Sequence, residues 1–378
     1  LGLALMEEKH VGEVLFQLGA RVESVSITAA DVEFDPEIFA EGHHDEHTEE
    51  AHHGDEHFED EHDEHADHLV IYNIERHFTP VSVSLGAVWE FTDGYNLGLS
   101  ASRSQRAPSA AELLANGLHI GTGNYELGAM YELHEHNEEI ELALIEDFSE
   151  LETSNNLDVT LRKFSGDLGF VLNLFYNKVD NYYYENDLGF TIDVGHTHST
   201  DDEHDEHDME HSDEHEEHEE IDEEHVEEGS PVFLFRPQDV ELYGFEAQVN
   251  YSLNANLHVQ AQADYIRGKL QNGADLARIP PKRMSTQISY SGDSWDTIVS
   301  LKHTFKQDKI TSLETSTDAF TMVDVSANWY LSQGNLDYTV YGKIDNLTDE
   351  LAYVHQSFLK DITPLPGRNF VIGIRGEF

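Results

Sequence analysis

Glu246–Tyr265 reads EAQVNYSLNANLHVQAQADY. Ala247, Val249, Tyr251 and Leu253 alternate with Glu246, Gln248, Asn250 and Ser252. After the Asn-rich bend Leu253–Asn256 the pattern resumes. Leu257, Val259, Ala261, Ala263 and Tyr265 then alternate with His258, Gln260, Gln262 and Asp264. A period of two over this length means strands with one apolar and one polar face, and the short bend makes the pair a hairpin. Leu97, Leu99 and Ala101 repeat the pattern against Asn96, Ser100 and Ser102. So do Val323, Val325, Ala327 and Trp329 against Asp324, Ser326, Asn328 and Tyr330, and Leu336, Tyr338, Val340 and Ile344 against Asp337, Thr339, Tyr341, Lys343 and Asp345. Ser109–Leu114 is the one stretch that suggests a short helix.

Working outward gives thirteen strands, at roughly 1–8, 11–27, 77–91, 95–103, 151–164, 167–184, 232–252, 256–268, 282–291, 295–306, 320–331, 335–346 and 367–378. Many exceed the roughly 5–6 residues of strands in a soluble sandwich, the competing architecture. Tight turns at Thr92–Gly94, Phe164–Asp167, Leu253–Asn256, Gly292–Ser294 and Ser332–Asn335, and a first turn near Glu8–His10, carry Gly, Asn, Asp or Ser. Between the hairpins lie long connections, near 28–76, 104–150, 185–238, 270–281, 307–319 and 347–366. Short and long connections alternate, so in an antiparallel sheet they fall on opposite ends. Aromatics at Tyr182–Tyr184, Tyr265, Tyr290, Trp295, Trp329 and Tyr330 sit where membrane girdles would. Long alternating strands, aromatic ends and lopsided connections together predict an all-β chain forming an antiparallel transmembrane β-barrel, with short periplasmic turns and long extracellular loops. An odd strand count is unusual for a complete bacterial barrel, and a sheet open at both edges is costly in lipid. The chain opens LGLAL with no basic n-region or cleavage site. All of this reads as the C-terminal part of a longer barrel.

Five stretches resemble one family. SRSQRAPSAAELLANGLHIGTGNYELG (Ser102–Gly128) is similar to the R-A-P-x-x-x-E-L-x-x-x-G-x-H core of TonB-dependent receptors. LETSNNLDVTLR (Leu151–Arg162) and LNLFYNKVDNYYYE (Leu172–Glu185) resemble the family's strand-leading and F-Y-N-x-x-D-N-Y stretches. KIDNLTDELAY (Lys343–Tyr353) and PLPGRNFVIGIRGEF (Pro364–Phe378) resemble its N-L-x-D and P-G-R-N close with terminal Phe. The resemblance implies a 22-stranded barrel filled by an N-terminal plug, of which this chain would carry about 13 C-terminal strands without the plug. It also implies an outer-membrane location in a Gram-negative bacterium and energy supplied by the TonB-ExbB-ExbD complex. Arg106, Pro108, Gly367 and Arg368 fall on family motifs and are expected to serve the barrel's structure.

The expected extracellular loops 29–76 and 185–238 each carry a tract almost entirely of His, Asp and Glu. Glu41–His68 is EGHHDEHTEEAHHGDEHFEDEHDEHADH, and His196–Glu228 is HTHSTDDEHDEHDMEHSDEHEEHEEIDEEHVEE. They hold 9 and 8 of the 25 histidines and 13 and 18 of the 76 acidic residues, with no Lys or Arg. Such composition predicts disorder. Imidazole and carboxylate together suit divalent transition metals, zinc above all. The donors are His43, His44, His47, His52, His53, His57, His62, His65, His68, His204, His207, His211, His215 and His218. Many weak sites on a tethered coil raise the local metal concentration. Within the family, loops of this composition resemble those of zinc-uptake receptors.

A transport site should be ordered and nearer the lumen. His119 is the first candidate, close in sequence to Glu112 and Glu126. His134 and His136 form an H-x-H pair beside Glu132, Glu135 and Glu138, and His355 lies in the last long connection. Family members with other substrates also carry a His at the position of His119, which gives it a structural reading as well. His258 and His303 are strand residues expected to be polar lumen or interfacial groups.

Other classes find little support. The formal net charge of −55 leaves no basic patch for nucleic acid. There is no Cys, so there are no disulfides or thiolate metal sites, and 5 Met make Cu(I) a poor fit. No G-x-S-x-G or H-E-x-x-H occurs, so no enzyme activity is expected. No cofactor is required; zinc enters as cargo. The expectation is a TonB-dependent zinc receptor seated in outer-membrane lipid. Haem or nickel cargo, or a passive metal-buffering surface barrel, are the alternatives.

Overall fold

The computed structural model describes residues 1–36, 38–39, 70–136, 139–145, 147–192, 229–312, 314–334 and 336–377. Both His/acid tracts, 41–68 and 196–228, lie outside the described residues. The chain starts with β1 (Gly2–Val11), β2 (Val14–Glu23), β3 (Val25–Phe34), β4 (Val70–Phe78), β5 (Val81–Thr92) and β6 (Tyr95–Arg106). A short helix, α1 (Ala110–Leu114), precedes β7 (Asn116–His119), β8 (Asn124–Leu127), β9 (Tyr131–His136) and β10 (Glu139–Leu144). Then come β11 (Glu152–Lys163), β12 (Leu168–Ile192), β13 (Ser230–Ser252), β14 (Leu257–Leu270) and β15 (Arg283–Ser291). The last four are β16 (Trp295–Thr304), β17 (Phe320–Gln333), β18 (Leu336–Asp345) and β19 (Asn369–Glu377).

Among the described residues, thirteen strands form one antiparallel path: β1-β2-β5-β6-β11-β12-β13-β14-β15-β16-β17-β18-β19. These are the thirteen read from the alternation. The pleat sorts their side chains. Leu97 stands opposite Trp89 and Leu161, and the row continues through Leu172, Ala247, Ala263 and Met284. On the other face Thr160 stands opposite Asn173, followed by Glu246, Asp264 and Arg283. Arg283 Nε lies 2.9 Å from Asp264 Oδ2. The apolar row is open to the surroundings: Trp89 is 47% exposed and Met284 50%. An open apolar face beside a hydrogen-bonded polar one is the arrangement of a wall with lipid outside and a wet lumen inside. Aromatic pairs mark the short-turn end, with Tyr290 and Trp295 at 4.9 Å and a chain of contacts through Trp89, Phe91, Tyr95 and Phe170.

The turns are as expected except the first. It falls at Gly12–Glu13, not Glu8–His10, because Gly12 takes φ +61 and residues 8–10 stay paired with Leu15–Gln17. Three expectations about length and facing also change. The stretches 11–27 and 77–91 are each broken at the rim. Thr79–Pro80 interrupts the second, where proline has no N–H to give the ladder, and the upper parts pair as the hairpin β3–β4. β12 and β13 stay paired up to Ile192 and Ser230, beyond the expected strand ends. Finally, not all the girdle candidates face outward. Tyr183 is buried among loop residues and Tyr182 packs with a third cluster. Tyr330 neighbours Trp329 and so takes the opposite face, where its hydroxyl donates to Asp296.

The buried core lies at the long-loop end rather than in the wall. One cluster joins Phe34, Tyr125, Leu127, Tyr131, Leu142, Val232 and Leu234. A second joins Ile74, Phe78, Leu113, Ala129, Met130, Phe148 and Tyr183. Burying each large side chain contributes about 1.5–3 kcal/mol. The long connections therefore build a folded cap from β3, β4, α1, β7–β10 and the extensions of β12 and β13.

Candidate functional site at the mouth of the barrel

The capping box made by Ser109 and Glu112 starts α1 directly after β6. Arg106, the last residue of β6, then donates to both Glu112 oxygens at 2.8 and 2.9 Å and pairs with Glu152 at 2.5 Å. Burial pushes the Glu112 carboxyl up, but Arg106 and the Ser109 amide more than offset this and hold it below the usual range. This clasp ties the cap to the rim and fits the structural role expected of Arg106. Pro108 is buried beside it. At the far end of the chain the Arg368 amide donates to Asp349. The buried Asn346 donates to the carbonyls of Glu350 and Pro366, so the last long connection is closed on itself.

Against the β12 and β13 extensions of the cap lies a cavity of about 1040 Å³. Tyr184, Glu185, Phe233, Arg278 and Glu314 are among its lining. β12 and β13 supply one side, and the 271–282 and 305–319 connections supply the other. Burial and the nearby Glu126 charge raise the Glu185 carboxyl, against the pull of Arg278. Arg278 adopts a left-handed φ of +57, held there by its amide donating to Glu314 Oε1 at 2.7 Å. Its guanidinium lies 3.2 Å from the centroid of the Phe358 ring and makes no ion pair among the described residues. A half-buried cation aimed at an aromatic face and ringed by carboxylates at longer range can receive an anionic group of a ligand.

His119 and His355, far apart in sequence, both come to this region. His119 ends β7 with Nδ1 2.9 Å from Thr122 Oγ1 and 3.6 Å from Glu126 Oε1. Its ring lies 6.5 Å from that of Phe358. His355 has a side chain only 1% exposed. Its Nδ1 is 2.8 Å from Thr317 Oγ1, while Nε2 faces Glu314 Oε1 at 3.7 Å with no hydrogen bond. Burial lowers its pKa, with Glu314 opposing the shift. His134 stands on β9 with Nε2 3.1 Å from Glu132 Oε1, and His136 pairs in the backbone register with Glu139. His258 and His303 hydrogen-bond Ser252 and Thr321 on the wall. The tract histidines lie outside the described residues. Among the described residues no three His, Asp or Glu side chains converge on one point.

Glu185, Arg278, Glu314 and Phe358 were not singled out in the sequence. They come from four separate segments, and no local spacing announces that these meet.

The cap has a further property. Phe39, just before the first tract, packs edge-on to Phe190 at 5.6 Å. Val70 just after that tract, and Ile192 and Val232 on either side of the second, join the same cluster. The described residues that flank the two tracts thus meet in one cluster.

The family model described as TonB dependent receptor-like, beta-barrel matches residues 2–347. Among solved structures, the copper transporter OprC superposes with a TM-score of 0.66 at 13% identity, covering 99% of this chain and 47% of that one. The ferric citrate transporter FecA gives 0.59 at 12% identity, covering 100% and 44%. The FrpB iron transporter from Neisseria meningitidis gives 0.57 at 11% identity, covering 99% and 44%. The chain spans less than half the length of these structures.

Proposed function

The chain belongs to the TonB-dependent receptor-like β-barrel family, and from that premise we propose that it is the wall and cap of an outer-membrane receptor for uptake of zinc. The observation that carries this reading is the meeting of the residues that flank the two tracts. The tracts hold 17 histidines and 31 carboxylates, and the described residues that flank them, Phe39, Val70, Ile192 and Val232, meet in one cluster of the cap. Neutral imidazoles are the selective donors, and carboxylates add attraction over about 8–10 Å at moderate salt. Weak, overlapping sites would load and release metal quickly and feed an ordered site involving His119, His355 or the β9 histidines. Transport through the lumen would draw energy from TonB-ExbB-ExbD. The receptor would catalyse no reaction.

One observation favours a bulkier cargo. A cavity of about 1040 Å³ with aromatic walls, beside an Arg278 that forms no ion pair among the described residues, suits a metal bound in an organic ligand, such as haem, better than a bare ion. The test is zinc-limited growth and zinc uptake by cells carrying the receptor with 41–68 and 196–228 deleted. Both should fall, and capture by the intact receptor should weaken below about pH 6 as imidazoles protonate. Unchanged uptake in the deletion strain would sink the capture reading. Competition by Ni²⁺ or haemin stronger than by Zn²⁺ would transfer the assignment to that cargo.

A further inference from the structure

We propose that the polar face of the β9–β10 hairpin is an ordered binding site for a zinc-class divalent metal, centred on His134 with Glu132 and Glu141. The inference rests on metal being gathered at this end of the receptor, and it gives that capture a fixed address. The hairpin sequence sorts into two sets. Tyr131, Leu133, Leu142 and Leu144 pack into the cap, with Tyr131 0% and Leu142 2% exposed. The intervening positions Glu132, His134 and Glu141 take the other face. The register sets His134 directly opposite Glu141 and, at the next rung, His136 opposite Glu139.

Cross-strand partners on one face have Cβ atoms about 4.5–5.5 Å apart, and successive rungs are about 7 Å apart. These spacings let imidazole and carboxylate reach a common ion. His134 Nε2 and Glu132 Oε1 are already 3.1 Å apart. Two donors about 2.1 Å from one tetrahedral Zn²⁺ would be about 3.4 Å apart. Because no third donor among the described residues converges on the pair, Glu141 must turn towards it, an ordinary rotamer change for an exposed side chain. No Lys or Arg occurs between Ala129 and Glu152 to compete for the carboxylates. Arg236, the nearby cation, is turned to the carbonyls of Ala129 and Tyr131 at the base of the hairpin. This donor set stands on a paired ladder whose reverse side is buried in the cluster where residues flanking both tracts meet. It is therefore placed to take metal from them.

The experiment is diethyl pyrocarbonate modification of the intact receptor in outer-membrane vesicles across a Zn²⁺ titration, read residue by residue by mass spectrometry. His77 is the internal control, an exposed imidazole 3.2 Å from a single carboxylate, Glu75. His134 should become protected at a free Zn²⁺ concentration roughly tenfold below that needed for His77, and Glu141→Gln should raise that concentration roughly tenfold, since even outer-shell partners of a metal ligand are worth 10–100-fold. Ca²⁺, which prefers oxygen ligands, should not protect. Protection of His134 that tracks His77, or is matched by Ca²⁺, or is unchanged in Glu141→Gln, would overturn the proposal. The comparison with His77 is made within one sample and needs no variant to fold. Loss of the tract-capture reading in the deletion experiment would leave this protection in place, so the two can fail separately.

Discussion

His355 is the residue whose chemistry changed most between sequence and structure. As a lone histidine in a long connection it reads as a metal donor. Its Nδ1 is in fact engaged by Thr317, 38 residues away, and its Nε2 is enclosed beside Glu314. Nothing near position 355 in the sequence reveals either partner. The buried ring joins the 346–368 connection to the 305–319 connection, and this makes the joint pH-dependent. Burial lowers its pKa in the docked state; Glu314 and Asp361 oppose that shift and Lys360 adds to it. An undocked loop would take up a proton near the ordinary value of about 6.5, whereas the docked loop resists protonation. Below that value the undocked state binds more protons, so docking is intact above it and weakens as pH falls towards the lowered value. Limited proteolysis within 346–368 should be faster at pH 5.5 than at pH 7.5. His355→Gln should flatten this dependence. An equally steep profile in the variant would remove His355 as its source.

At the scale of elements, the short helix was legible and its attachment was not. Ser109 and Glu112 have the spacing of a capping box, so α1 appears where the sequence suggests it. The following 128–130 stretch has no period to read, yet it zips back along the helix. Gly128, Ala129 and Met130 amides donate to the carbonyls of Ala115, Glu112 and Leu113. This close approach requires glycine at 128. A Cβ there would lie 2.1 Å from the Leu113 oxygen and 2.2 Å from its carbonyl carbon. Gly128→Ala should force the two segments apart at a cost of about 1–3 kcal/mol. Hydrogen exchange at the Ala129 and Met130 amides should accelerate while amides of β16 and β17 keep their protection. The same argument explains the long β12–β13 ribbon. Tyr182–Tyr184 read as a membrane girdle because aromatics close many barrel strands, but the ladder continues past them to Ile192 and Ser230 and carries them into the cap.

For the whole molecule, the thirteen wall strands could be read because each presents a period of two to two different solvents. The cap could not, because its contacts join segments tens to a hundred residues apart, as Tyr125 and Val232 do where β8 meets β13 in parallel. The wall makes its own prediction through adjacent residues on β12. Leu174 stands in the outward row between Val159 and Phe245, and Asn173 in the inward row between Thr160 and Glu246. An arginine facing lipid near mid-depth costs roughly 2–4 kcal/mol, whereas one facing the lumen stays hydrated. At 173 it would also meet the carboxylates of Glu246 and Asp264 along the same row. Leu174→Arg should therefore lower the fraction of receptor recovered from lipid vesicles in the folded, heat-modifiable form. Asn173→Arg, one residue away with the same added charge, should leave it close to the parent. Equal losses would mean that strand pairing at this point, not the medium outside it, sets the tolerance for charge, and the outward row could no longer be taken as the lipid face.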